Sequence, residues 1–410
     1  MLSKTNRLTL YILVAMALGI ALGYVMHVNM EEVARKGVAD NLKLLTDIFL
    51  RLVKMIIAPL VFSTLVVGIA KLGDMRTVGR VGGRALLWFI TASLVSLALG
   101  MFLVNLLQPG VGLHLEASGD VADVLDKTKA FTLKDFIAHV FPSSMVEAMA
   151  KNEVLQIVVF SIFFGVACAS IGDYAKPVVY LLESVAHVIL KMVGYVMNFA
   201  PLGVFGAIAA VIAIHGLGVL STYAVYIGQF YIGLAILWAI LLGVGFLFLG
   251  ARMKELMRRI LQPITIAFST TSSEAVMPKL MEELERFGCK DKVVSFVLPL
   301  GYSFNLDGSM MYMTFASLFI AQVYGITLDF GTQVTMLLTL MLTSKGIAGV
   351  PRASLVVVAA TLGMFGVPVE GLALILPIDH FCDMGRSATN VVGNAIATSV
   401  VSKWEGELGH

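Results

Sequence analysis

Five polar residues recur through an apolar stretch late in the chain: Asp379, Asp383, Arg386, Asn390 and Asn394. Their spacings of four, three, four and four put all five on one face of an α-helix. Their surroundings are Ile378, Phe381, Val391, Val392, Ala395 and Ile396. An ionised group at the centre of a bilayer helix costs about 2.5–3.5 kcal/mol on insertion scales, so such a stripe must face partners or a cavity. Two readings stand: an Asp383–Arg386 ion pair that only holds helices together, or a binding surface. The two amides on the same stripe favour the binding surface. His380 and Cys382 flank the stripe on other faces, where packing is the expected role.

A second cluster is Asn305-Leu306-Asp307-Gly308-Ser309, set between long apolar flanks. An Asn, an Asp and a Gly inside an apolar helix unwind it and free backbone carbonyls. Carbonyls with one carboxylate suit an alkali cation or a proton. A third is the run Ser269, Thr270, Thr271, Ser272, Ser273 and Glu274, whose hydroxyls and N–H groups at short-helix ends attract carboxylates. Glu274 reads equally as a proton carrier or a surface carboxylate. Lys345 and Arg352, near a fourth polar segment, read as groups in external water.

The elements that must position these residues belong to a membrane. Of 410 residues, 58% are hydrophobic and 14% charged, against about 25% charged in soluble domains. A net charge of +2 implies no nucleic-acid partner. The three cysteines, Cys168, Cys289 and Cys382, lack disulfide or zinc spacing and read as buried free thiols. A span needs about 20 apolar residues. Candidates are Leu8–Met26, Leu44–Ala70, Ala85–Leu107, Val154–Ile171, Pro177–Ile214 and Tyr223–Leu249. Leu8–Met26 reads as a first transmembrane helix rather than a cleavable signal. Pro59 is expected to interrupt the second span and Pro201 the fifth, which is too long for one upright crossing and must tilt, kink or run past the membrane. Arg51 and Lys54 are expected to snorkel to the interface. The segment holding Asp120, Asp123, Asp126, Lys127, Lys129, Lys134 and Asp135 reads as a solvated connector. Lys71, Arg76, Arg80 and Arg84, with Arg252, Lys254, Arg258 and Arg259, set the inside, so both termini are expected in the cytoplasm.

The last 150 or so residues break into short apolar pieces around polar tips. Ile260–Phe268 leads through the serine run to a second piece ending at Leu284. Val293–Ser303 passes through Asn305–Ser309 and continues to Tyr324. Val334–Leu342 leads through residues 344–354 to Leu355–Leu362. A final helix is expected from about Leu372 to Val401. This is one plan used twice: a hairpin with a polar tip, then a helix with a polar centre. Irregular backbone at membrane depth survives only where protein buries it or water lines it. Paired half-length hairpins point to the substrate site of a secondary transporter with inverted repeats.

Ser272-Ser273-Glu274, Asn305-Leu306-Asp307-Gly308-Ser309, Gly346-Ile347-Ala348-Gly349-Val350-Pro351 and Asp383-Met384-Gly385-Arg386-Ser387-Ala388-Thr389-Asn390 occur in that order. With these motifs the chain resembles, over essentially its full length, the dicarboxylate/amino acid:cation symporter family, the glutamate transporter family. The resemblance implies an all-α polytopic membrane protein with eight transmembrane helices, two re-entrant helical hairpins and inverted repeats. It implies a homotrimer working by an elevator motion in a bacterial cytoplasmic (inner) membrane. Residues 1–255 would be mainly scaffold and trimerisation helices, with the third and sixth helices joining the moving part. Residues 256–410 would form the core of the transport domain. Ser273 and Val350 at the hairpin tips, with Asn390, would meet the substrate's α-carboxylate, and Ser272 would belong to the same substrate site. Asp383 would hold its amino group, Arg386 its side-chain carboxylate, and Ser309 and Ser387 would add hydroxyl contacts.

Arg386 is a fixed positive charge that a neutral side chain would leave unpaired, and Asp383 wants an ammonium. The expected substrate is therefore L-glutamate or L-aspartate; a C4-dicarboxylate carrier of the same family is the alternative, although relatives for such substrates resemble this chain without an acid at that position. Sodium-coupled members carry an Asp where this chain has Asn394, and a Thr where it has Ala92 beside Ser93. Two oxygen-rich cation sites are thereby weakened. Gly301, Asn305, Asp307 and Asn390 remain. Proton coupling is expected, with Asp307 or Glu274 as carriers, and Na+ at fewer sites as the alternative; no cofactor or resident metal is implied. Enzyme and channel readings lack support: the seven His form no HExxH, no GxSxG stands out, and one mixed-charge stripe is no filter.

Overall fold

A computed structural model describes residues 4–72, 75–111, 141–216, 223–344 and 353–409. The described residues fold into fifteen α-helices with short 3-10 turns and no strand beyond one isolated bridge. In chain order they are α1 (Lys4–Asn29), α2 (Glu32–Leu72), α3 (Met75–Leu107), α4 (Met145–Lys151), α5 (Val154–Ile171), α6 (Lys176–Met197), α7 (Ala200–His215) and α8 (Ala224–Leu249). The second part holds α9 (Arg252–Thr270), α10 (Met277–Phe287), α11 (Asp291–Phe304), α12 (Asp307–Val323), α13 (Phe330–Thr343), α14 (Ala353–Met364) and α15 (Leu372–Trp404).

Among the described residues, five stretches are long and apolar enough to cross a bilayer: Leu10–Asn29, Glu32–Ala70, Arg76–Leu107, Val154–Met197 and Ala224–Leu249. Most of the acidic connector and the segment expected to form a second hairpin tip, including Val350, Lys345 and Arg352, lie outside the described residues.

Pro59 does not interrupt the second span; α2, 41 residues long, runs unbroken past it. A proline removes one ladder bond, here the one to the Met55 carbonyl, a small loss in a helix this long that packs on α5, α6, α7 and α11. The Ser63 and Thr64 hydroxyls donate to the Pro59 and Leu60 carbonyls at 2.7 Å each, the usual back-bonds of hydroxyls in a helix. The fifth run does divide. Its second half restarts at Ala200, with Pro201 in the first turn, where no N–H is needed.

Helices α1, α2, α5, α6 and α7 pack among themselves: α7 lies against α1 and α2, and α2 also against α5 and α6. In the second group, α3 lies on α12, while α8, α9, α11 and α12 all lie on α15. Helix α9 packs on α10, and α13 on α14. The groups meet where α2 and α5 touch α11 and α7 touches α9. Close approach depends on two glycines. A Cβ on Gly393 would collide with the Asp307 carboxylate, and one on Gly308 with the Arg386 backbone. Small residues at helix contacts give this closeness in a membrane, where packing rather than water drives association.

Candidate functional site

Two interruptions converge on α15. Helix α9 ends at Thr270, and Thr271, which caps it, takes a left-handed φ of 52°. Ser272 Oγ then accepts the Ala275 N–H at 3.2 Å, holding the turn into the short Glu274–Val276 segment before α10. The chain breaks again at Asn305 and Leu306, between α11 and α12, as the sequence predicts. The first N–H groups of α12 are capped from another helix: the Asn390 side-chain oxygen accepts from Gly308 at 2.9 Å and Ser309 at 3.3 Å. Its amide donates to Ser309 Oγ at 3.1 Å. Asn390 thus seats the broken helix on α15. Helix α8 anchors α15 from its other side: Tyr231 Oη donates to the Phe381 carbonyl at 2.7 Å and Trp238 Nε1 to Thr389 Oγ1 at 2.8 Å.

These pieces enclose a cavity of about 720 Å³, within the ~300–1,000 Å³ usual for ligand clefts. Ser272, Ser273 and Glu274 line it from the first tip, Ser309 from α12, and Asp383, Arg386, Ser387 and Asn390 from α15. Every substrate residue the sequence predicts within the described residues is there.

The floor of the cavity is an ion cluster. Arg386 Nε donates to Asp383 Oδ1 at 2.7 Å and its Nη1 to Asp379 Oδ1 at 3.2 Å. Tyr312 Oη donates to the same Asp379 oxygen at 2.8 Å. The guanidinium lies over the Tyr312 ring, 4.4 Å from its centroid. Ser387 Oγ donates to Asp383 Oδ1 at 3.1 Å. The side chains of Arg386 and Asp379 are 3% exposed, and that of Asp383 is 20%. The Asp383–Arg386 ion pair is therefore formed, and it lies on the wall of the cavity rather than between packed helices.

Of the predicted ion residues, Glu274 and Asn390 line the cavity, while Gly301, Asn305, Asp307, Asn394 and Ser93 form a separate, deeper cluster that does not. Asp307 and Asn305 are 0% exposed. Asn305 Nδ2 donates to Asp307 Oδ2 at 3.2 Å and, more weakly, to Asn394 Oδ1 at 3.5 Å. Ser96 Oγ donates to Asp307 Oδ1 at 3.4 Å, and Ser93 Oγ to the Phe304 carbonyl at 3.2 Å. The Gly301 carbonyl accepts the Asn305 N–H at 2.6 Å. Asn305 Oδ1 has no hydrogen-bond partner among the described residues. No group of three or more His, Cys, Asp or Glu that could hold a metal occurs among them either.

One expectation changes, and the cavity gains residues. Arg51 and Lys54 line it with Lys43 and Asp47; their spacing of four, four and three gathers them on one face of α2. His380, expected to pack, also lines the cavity, because it sits three residues before Asp383 and so on the adjoining face. Sequence reasoning missed Tyr312 and Ser96. Each stands three residues after a predicted site residue, Ser309 and Ser93, and that helical offset was the available signal.

The fold is a polytopic helical bundle in which interrupted helices gather ionised groups around one cavity, the architecture of a membrane carrier. The chain belongs to the sodium:dicarboxylate symporter family, whose model matches residues 8–404. It is 43% identical over 408 residues to the C4-dicarboxylate transport protein of Rhizobium etli, covering 98% of this chain and 90% of that one. It is 41% identical over 407 residues to the protein of the same name from Bacillus subtilis, covering 98% and 94%. The like-named protein of Laribacter hongkongensis is 42% identical over 402 residues, covering 97% and 89%.

Proposed function

We propose that this protein is a cation-coupled importer of four-carbon dicarboxylates, working as a homotrimer in a bacterial cytoplasmic membrane with both termini inside. The full-length likeness to three C4-dicarboxylate transport proteins carries the substrate class. The site supplies the means: a buried guanidinium meets one carboxylate, and the hydroxyls of Ser272, Ser273 and Ser309 meet the other. The expectation of glutamate and aspartate alone gives way to this wider class. L-Aspartate remains inside it, since it is itself a four-carbon dicarboxylate that adds an amine. The cavity-facing Asp383 carboxylate favours such a substrate as a second reading.

In this proposal the helices from α9 onward, with α3 and α8, move as a body against α1, α2 and α5–α7. They contribute to eight spans and two re-entrant hairpins. The coupling cation is a proton carried by Asp307, the one carboxylate in a deep cluster otherwise made of amides, hydroxyls and carbonyls. The unpartnered Asn305 oxygen favours Na+ there as the second reading.

Uptake of radiolabelled succinate and L-aspartate into proteoliposomes tests the substrate. Saturable succinate uptake, inhibited by L-aspartate, is expected; accumulation of neither compound refutes the proposal. A pH gradient and a sodium gradient imposed separately decide the ion.

A further inference from the structure

Arg386 already has two carboxylates before any substrate binds, so the cluster of Asp379, Asp383 and Arg386 carries a net charge of −1 when all three are ionised. A dicarboxylate that reaches the guanidinium is a third carboxylate around a single cation. The excess has to be relieved, and the two acids are not equally placed to relieve it. Asp379 is nearly closed off and bonded by Tyr312 Oη. Asp383 is the more exposed, faces the cavity, and has its second oxygen outside the Arg386 and Ser387 bonds, both of which go to Oδ1.

A substrate with an ammonium offers its own relief, since the amine pairs with Asp383 and the acid stays ionised. A plain dicarboxylate has nothing to offer but a second like charge at contact distance, which in a site this enclosed is strongly unfavourable. We propose that Asp383 takes up one proton from solvent when a plain dicarboxylate binds, and none when the dicarboxylate carries an amine. The protonated Asp383 oxygen then donates to a substrate carboxylate oxygen where the ammonium would otherwise sit. No covalent bond of the substrate changes. The proton enters with the dianion and leaves with it, so plain and amino dicarboxylates travel with proton counts that differ by one. The inference rests on the dicarboxylate reading of this cavity and is independent of the ion carried at Asp307.

The cations on α2 outnumber the acids Asp47 and Glu274 by one, but none of them makes an ion pair with the cluster, so they do not relieve the contact between like charges. On α2, Lys43, Arg51 and Lys54 are exposed to solvent, and Asp47 stands among them with the opposite sign. Glu274 at the hairpin tip adds a further acid. On α15, His380 lines the cavity and Cys382 is buried. Tyr226 and Tyr231 on α8 and Tyr312 on α12 are neutral hydroxyls. His380 and Glu274 are the rival proton acceptors.

The test is the pH dependence of Kd for succinate and for L-aspartate, measured by calorimetry on the full-length protein in detergent. Buffers are chosen so that both succinate carboxyls are ionised and the aspartate amine is protonated. Succinate affinity should fall with rising pH about tenfold per unit more steeply than aspartate affinity, the slope of one extra bound proton. In Asp383→Asn, aspartate binding should be lost and succinate should bind without the extra slope; Asp383→Ser should behave alike, guarding against a folding defect in either variant. His380→Gln and Glu274→Gln should each keep the extra slope. Parallel slopes in the wild type, or an extra slope that survives in both Asp383 variants, overturn the inference. Binding of neither compound overturns instead the dicarboxylate reading beneath it. If succinate alone binds, the Asp383 variants decide, with a surviving slope against the proposal and a lost slope for it.

Discussion

Arg386 is held on three sides: by Asp383 along its Nε edge, by Asp379 at Nη1, and by the Tyr312 ring on its face. Planarity is what allows a cation to use an edge and a face at once, and an ammonium has neither. Arg386→Lys keeps the charge but loses the fork. Loss of one charge-assisted bond is worth about 1.5–3 kcal/mol, so dicarboxylate affinity should fall roughly tenfold to a hundredfold while the protein still folds. Calorimetry checks the first statement and the melting temperature the second. The ring and hydroxyl of Tyr312 can be separated. Tyr312→Phe removes the bond to Asp379 and keeps the stacked face, so it should weaken binding less than Tyr312→Leu. Equal losses in the two variants would show that the ring does nothing for the arginine.

At the scale of elements, the interruptions were the most legible part of the chain. An Asn-Leu-Asp-Gly run inside apolar flanks has no stable helical solution at membrane depth, and α11 and α12 part at Asn305 and Leu306. The stripe on α15 was legible because helical period alone puts its members on one face. Pro59 misled because the single bond it removes, to the Met55 carbonyl, is a small loss in a 41-residue helix packed on α5, α6, α7 and α11, and that packing is a tertiary fact. Tyr312 was hidden among buried aromatics, since stacking on a cation has no signature in a single sequence. The basic face of α2 was visible as spacing, but which neighbour it faced was a tertiary fact. That face yields a prediction. Arg51 and Lys54 line the cavity in the open and have no ion-pair partner among the described residues. Exposed cations at a cavity raise the local concentration of anions and are screened by salt. Arg51→Gln with Lys54→Gln should raise KM for dicarboxylates severalfold and flatten its dependence on ionic strength, leaving the maximal rate nearly unchanged. A fall in maximal rate at constant KM would place these residues in the motion of the protein rather than in capture.

For the molecule as a whole, the segment after α15 joins pieces distant in sequence. The Glu405 side chain, 3% exposed, accepts from Arg80 Nε at 3.0 Å and Arg84 Nη1 at 2.8 Å, both on α3. The Lys290 N–H donates to the Glu407 carbonyl at 3.0 Å, and the Gly409 N–H to that of Gly288 at 2.8 Å. Arg252, at the start of α9, donates to the Gly409 and Phe287 carbonyls. Residues 405–409 therefore tie α3, α9 and the α10–α11 turn into one base. Beside that turn, at the end of α10 and outside the five apolar spans, burial pushes the Glu285 carboxyl up to about 7, helped by the nearby charges of Asp291 and Glu282 and a hydrogen bond with Asp291. Between its ordinary value of 4.5 and about 7, the folded protein holds a proton that the unfolded chain releases. The sign follows from linkage: this contribution is complete below the unfolded value and is lost as pH rises through about 7. The melting temperature in detergent should accordingly fall between about pH 5 and about pH 8. Glu285→Gln cannot ionise, so it should melt higher than the wild type at the alkaline end, match it at the acid end, and show a shallower slope between. A variant that melts in parallel with the wild type across that range would move the titration away from Glu285. It would also leave the α10–α11 turn, and the base that residues 405–409 form on it, indifferent to pH.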